Sequence, residues 1–177
     1  MKIEIYDNQV PFIQQQDIYG YVKKSNYRIG WGDREDESYV DCIYSSYTLD
    51  EFKETGLYDV FKKLSPQSDL KPNVDNFERC IVNLSKCGDY YFLHAHKNEI
   101  VFLYYVNLEW KDGYAGETLF YNDDLKDAHT VSSFVPGRIT IFDGEIPHTI
   151  RPQSTYGPDY RFTISYFVNK ETYESEQ

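Results

Sequence analysis

The sequence predicts a mainly β fold of the α+β kind, a sandwich, barrel or jelly roll, with its helices confined to the N-terminal half. After Asn76, short β-rich runs follow one another, separated by turn residues. Tyrosine and phenylalanine, 18 and 11 residues, bring the aromatic share to 18%, and aromatic side chains favour the pleated, half-buried surface of a strand. Helical spacing of apolar residues is seen only before Leu64. At 177 residues the chain fits one domain, 1–177, and is long enough for a substantial core.

MKIEIY alternates and reads as a first strand. From Pro11 to Lys24, Phe12, Ile18 and Tyr21 have helical spacing, and Pro11 suits a first turn. YRIGW, residues 27–31, predicts a strand, followed by a charged GDREDES loop. VDCIYSSY predicts another strand. Thr48-Leu49-Asp50-Glu51 opens a helix expected to run to about Leu64, with Leu49, Phe52, Leu57, Val60 and Phe61 on one side. SPQSDLKPN reads as a loop. Then come FERCIVNLSK, DYYFLHAH, NEIVFLYYVNLEW, GETLFYN, HTVSSFV, GRITIFDG, HTIRP and RFTISYFV. Roughly eight strands in about ninety residues is the spacing of an all-β sandwich, barrel or jelly roll. The helices are expected to buttress one sheet.

Composition narrows the partners. A formal net charge of −11 would repel nucleic acid phosphates and anionic lipid, so neither nucleic acid nor a membrane is an expected partner. Three cysteines without CxxC spacing argue against a disulfide framework and a thiolate zinc site. The N-terminus has no apolar signal-peptide core, and no window approaches 18 apolar residues. The expected location is the cytoplasm.

Two of the four histidines flank a single alanine in LHAHKNE. On an extended strand His94 and His96 would share a face, as a metal site requires. His148, which opens a strand after GRITIFDGEIP, is the candidate third ligand, since three imidazoles from two strands can occupy one face of an iron or zinc ion. His129 follows an acidic run and receives no role. In YRFTISYF, Arg161, Thr163 and Ser165 share one face of a strand, and Phe162, Ile164 and Tyr166 the other. If Arg161 points inward it needs an anion, for which a carboxylate matches the guanidinium fork. If the aromatic face is the buried one, Arg161 lies in water.

From Phe77 to Val168 the order HAH, LYYVNLEW, AGETLF, VPGRITIFDGEIPH, YRFTISYF resembles the iron(II)/2-oxoglutarate-dependent oxygenases, most closely the prolyl-4-hydroxylase-like branch. That resemblance implies a double-stranded β-helix of the jelly-roll kind over 77–168, with residues 1–76 supplying supporting helices and strands. It implies iron(II) and 2-oxoglutarate as cofactors, oxygen as co-reactant, a hydroxylase activity and a possible peptide substrate. By position, His94 and His148 take the two metal histidines, and Arg161 the clamp on the distal carboxylate of 2-oxoglutarate. Tyr105 takes a tyrosine that bonds the same carboxylate, while Ser165, with Thr163 on the same face, lines the cosubstrate pocket. Glu117 and Thr118 match a structural turn, and Asn83 is a further lining residue. No catalytic residue is expected beyond the metal ligands.

The departure is His96, which stands where that family has a carboxylate. A neutral imidazole still binds iron(II), but removes one negative charge from the centre and makes zinc, nickel or copper stronger competitors. His96 could be a third ligand, or swing away and leave its place to water or an anion. Glu99 is a poorly phased substitute. Two other readings stay open. Cupins share the jelly roll and a G-x5-H-x-H pattern, which Gly88 to His96 satisfies, so a three-histidine cupin-type dioxygenase is one alternative. A jelly-roll binding module without catalysis is the other.

Overall fold

A computed structural model describes residues 2–31 and 42–170. Among these the chain forms ten strands, three α-helices and a short 3-10 turn. β1 (Ile3–Tyr6) leads into α1 (Phe12–Lys23), followed by β2 (Arg28–Trp31) and β3 (Cys42–Tyr47). Two helices, α2 (Leu49–Glu54) and α3 (Leu57–Leu64), close the N-terminal part. The strands β4 (Phe77–Ser85), β5 (Glu99–Tyr105), β6 (Thr118–Tyr121), β7 (Ala128–Ser132), β8 (Ile139–Asp143), β9 (His148–Ile150) and β10 (Arg161–Asn169) follow. The expected GDREDES loop lies outside the described residues.

All pairings are antiparallel. Seven strands form a large sheet in the order β1-β8-β5-β10-β4-β3-β2, and three form a small one, β7-β6-β9. Both faces of β5 and β10 are covered, and every residue of the two but Asn169, the last of β10, is buried. On one face Phe102, Tyr104, Ile164 and Tyr166 pack with Ile18 and Val22 of α1, Phe52 of α2 and Phe61 of α3. On the other, Val101, Leu103, Tyr105 and Phe167 pack with Phe120 of the small sheet. The result is helices, large sheet and small sheet in layers, a jelly-roll arrangement with its mouth between the sheets. No helix among the described residues is long and apolar enough to cross a membrane, and no disulfide joins Cys42, Cys80 and Cys87.

Two expectations are corrected. The helix expected from Thr48 to Leu64 is two helices. Its start is as read: Thr48 Oγ1 accepts from Glu51 N at 3.2 Å and Glu51 Oε2 accepts from Thr48 N at 2.7 Å, a reciprocal cap. It breaks at Gly56, whose φ of +73° ends a helix readily only without a side chain. DYYFLHAH is not a strand either. Only His94 forms a bridge, to His148. The partner strand β9 is three residues long and preceded by Pro147, so the pairing cannot extend.

Candidate metal and dicarboxylate site

His94 and His148 face each other across that bridge, exchanging backbone bonds of 3.1 and 2.9 Å. His96 is held separately, its N–H donating to Gly144 O at 2.7 Å, while Gly144 N donates to Glu99 O at 2.9 Å. A Cβ on Gly144 would lie 2.8 Å from His96 O, so the chain can approach this closely only at glycine. The three imidazoles therefore converge without sharing a strand. Ring centroids lie 4.4 Å (His94–His148), 4.9 Å (His94–His96) and 5.1 Å (His96–His148) apart, and one ligand atom from each falls within 4.8 Å of the others.

Their tautomers bear on what they can hold. His94 Nδ1 lies 2.9 Å from Phe92 O, and His148 Nδ1 2.7 Å from Ile146 O. A carbonyl only accepts, so the proton sits on Nδ1 and the Nε2 lone pair is left for a cation. Burial pushes His148 down to about 3, reinforced by His94 and opposed by the Ile146 carbonyl. His96 is pushed down to about 2 by burial, with His148, His94 and Arg79 adding to the effect. Both are thus neutral in ordinary buffers, as metal ligation needs. Phe142 and Phe167 stand edge-on to His148 and His96, at 4.8 and 4.9 Å. This donor set fits a divalent cation.

The three histidines line a small cavity of about 50 Å³ between the sheets, with Asn83, Thr118, Thr163 and Ser165 among its walls. Arg161 sits on the same face of β10 as Thr163 and Ser165, and is 1% exposed, which overturns the reading that places it in water. Its Nε donates to Gly116 O at 3.0 Å, but neither terminal nitrogen has a hydrogen-bond partner, nor does Thr163 Oγ1. Gly116, at φ +83°, has no Cβ to strike Arg161, which would meet one at 3.2 Å. Phe134 and Tyr105 flank the guanidinium, ring centroids 5.1 and 5.9 Å away. Burial lowers its pKa, but a guanidinium stays charged at any working pH.

The remaining expected residues are nearby. The Tyr105 hydroxyl lies 2.8 Å from Thr118 Oγ1 and donates to Ser132 O at 3.2 Å, so it is already engaged. Glu117 reaches Arg151 at 3.7 Å, while its second carboxylate oxygen is buried without a partner and its charge acts on Arg161. His129 is on exposed β7, apart from the site. Sequence reasoning missed Gly116, Gly144 and Arg79. Arg79 alternates with Ile81 and Asn83 in FERCIVN, the same pattern that singled out Arg161.

Solved structures share this fold. A prolyl-4-hydroxylase from Pseudomonas putida superposes with a TM-score of 0.69 at 12% identity, over 94% of this chain and 92% of that one. The fold is that of the iron(II)/2-oxoglutarate oxygenases. A viral collagen prolyl hydroxylase from Paramecium Bursaria Chlorella virus-1, solved with 2-oxoglutarate, is 16% identical with a TM-score of 0.62, covering 94% and 96% of the two chains. A prolyl hydroxylase from Trichoplax adhaerens, in complex with a hypoxia inducible factor peptide fragment, is 14% identical with a TM-score of 0.61, covering 95% and 83%. No protein-family model and no curated protein matches the sequence. The resemblance to the prolyl-4-hydroxylase branch therefore holds as a double-stranded β-helix fold, with the histidine triad gathered in its mouth.

Proposed function

We propose that this chain is a 2-oxoglutarate- and iron(II)-dependent dioxygenase, a hydroxylase of the prolyl-4-hydroxylase type, whose metal centre is His94, His96 and His148. The observation that carries the reading is Arg161, a fully buried cation with two unpartnered nitrogens on the strand face that lines the histidine cavity. An uncompensated buried charge is costly, so the fold is organised around an anion that arrives from outside. Arg161 and Ser165 lie four positions apart on β10, about 13 Å along the strand. A short dicarboxylate would lie between that cation and the imidazoles.

Each residue then has a task. Arg161 holds the distal carboxylate bidentately, with Tyr105 beside it turning its hydroxyl proton from the Ser132 carbonyl to the anion. Thr163 and Ser165 offer hydroxyls along the cosubstrate. His94, His96 and His148 would hold the cation. Iron(II) bound there supplies oxygen activation coupled to the decarboxylation of 2-oxoglutarate to succinate and carbon dioxide. The apolar walls, Leu103, Phe142 and Phe167, keep bulk water from the reacting centre. The Trichoplax structure's peptide supports a peptide substrate for this chain. The buried arginine favours this reading over a cupin-type dioxygenase, whose pattern makes no use of it.

The test is calorimetry of 2-oxoglutarate with zinc-loaded protein, followed by succinate release with iron(II). Arg161→Ala should weaken 2-oxoglutarate binding by about 2 to 4 kcal/mol, the cost of losing a buried charge-assisted pair. Equal affinity in wild type and variant would sink the assignment.

A further inference from the structure

Behind His96 lies a half-buried ion pair that the reading above does not use. Arg79 on β4 and Glu99 at the start of β5 both face the cavity side of the large sheet, and Glu99 is 6% exposed. Arg79 grips both carboxylate oxygens: Nη1 contacts Oε1, and Nη2 donates to Oε2 at 2.7 Å. The guanidinium lies 3.8 Å over the ring of Phe167, its cross-strand neighbour on β10. Glu99 and His96 are pinned to each other through Gly144, which bonds the backbone of both. This leaves Nδ1 of His96 3.4 Å from Arg79 Nη2 and 4.0 Å from Glu99 Oε2.

The two neighbours impose opposite tautomers. Arginine can only donate, so a bond from Arg79 to Nδ1 leaves the imidazole proton on Nε2, where it would block a cation. An ionised carboxylate can only accept, so Glu99 on Nδ1 keeps the proton there and frees Nε2. A cation on Nε2 also repels the guanidinium and attracts the carboxylate. His94 and His148 face no such choice, because backbone carbonyls already hold their Nδ1 protons.

We propose that Glu99, clamped by Arg79, is the positioning residue that makes His96 a metal ligand: cation binding moves His96 Nδ1 from Arg79 to Glu99. The inference rests on the metal-centre reading above. The imidazole stays neutral throughout. Its proton passes from Nε2 to Nδ1 through solvent, and none is gained or lost. A carboxylate acceptor thereby stands behind the third imidazole, as a carboxylate–histidine–metal relay.

Nitrogen-15 NMR of histidine-labelled protein, before and after zinc addition, reads the tautomers directly. His94 and His148 should show Nδ1–H in both states, and zinc should shift their Nε2 signals. His96 should be Nε2–H without zinc and Nδ1–H with it. Glu99→Gln, close in shape, should lower zinc affinity about 10- to 100-fold, the usual cost of losing such a partner, with the zinc-free amide spectrum confirming the fold. If His94 and His148 respond to zinc while His96 keeps one tautomer, or if Glu99→Gln binds zinc as wild type does, the inference is wrong and the metal centre stands. If none of the three imidazoles responds, the metal-centre reading falls and this inference with it.

Discussion

At the scale of single residues the site depends on polar groups held where water cannot reach them. Arg161 rests on the carbonyl of Gly116, and a side chain at that glycine would collide with it. The two histidines pushed down by burial, His96 and His148, tie stability to pH. An unfolded histidine titrates near 6.5, whereas these stay neutral to about 2 and about 3. Below pH 6.5 the unfolded chain therefore binds protons that the folded one refuses. Their contribution is complete above pH 6.5 and is lost as pH falls toward 3, at up to about 1.4 kcal/mol per pH unit for each group. Urea unfolding of metal-free protein at pH 7.5, 5.5 and 4.5 should show this loss, and His148→Asn should show a shallower one. Parallel pH profiles for the two proteins would mean that His148 is not buried neutral.

At the scale of elements, β10 carries the design. Its odd-numbered residues, from Arg161 to Phe167, face the cavity, and its even-numbered residues face the helices. One strand thus binds the proposed anion with one face and anchors the supporting helices with the other. Phe52 and Phe61, from α2 and α3, stack around Tyr166 and Phe102 at centroid distances of 4.4 and 4.6 Å. The entry to α2 depends on the Thr48 cap. Thr48→Ala should cost about 1 kcal/mol in chemical denaturation, the usual price of such a cap. Thr48→Ser should retain most of that stability, because serine offers the same acceptor. If Thr48→Ala leaves stability unchanged, the packing of Phe52 alone fixes the helix start.

At the scale of the whole molecule, the layers leave the mouth of the jelly roll as the place where the histidines and Arg161 meet. His94 and His148 come from the small-sheet side, His96 from the loop before β5, and Arg161 from the large sheet. A cation held by the three histidines joins the small-sheet side to the loop before β5, so binding should stabilise the fold as a unit. At zinc concentrations a hundredfold above Kd, the gain is about 2.7 kcal/mol, or a rise in Tm of about 5 to 10 °C for a chain of this size. His148→Ala should abolish the rise. A zinc-dependent rise of the same size in that variant would place the cation elsewhere.

Much of this was legible in the residues alone. The alternation in RFTISYFV, the apolar spacing around Phe52 and Phe61, the capping pattern at Thr48 and the turn residues between strands are local signals, and they mark most of the elements, although Gly56 splits the predicted helix and DYYFLHAH is not a strand. The histidine pair and the lone His148 could be picked out because few imidazoles compete for the role. What the tertiary structure decided is non-local. Alternation divides β10 into two faces but cannot say which is covered, and both are, so only the fold shows Arg161 buried. Nothing in HAHKNE reveals that its imidazoles converge through a bridge to His148 and a bond to Gly144, because those partners lie some fifty residues away. The pairing of Arg79 with Glu99 behind His96 arises where β4, β5 and β10 lie side by side. Local sequence sets how a segment folds, but strand register sets which charges are left facing each other in a dry cavity.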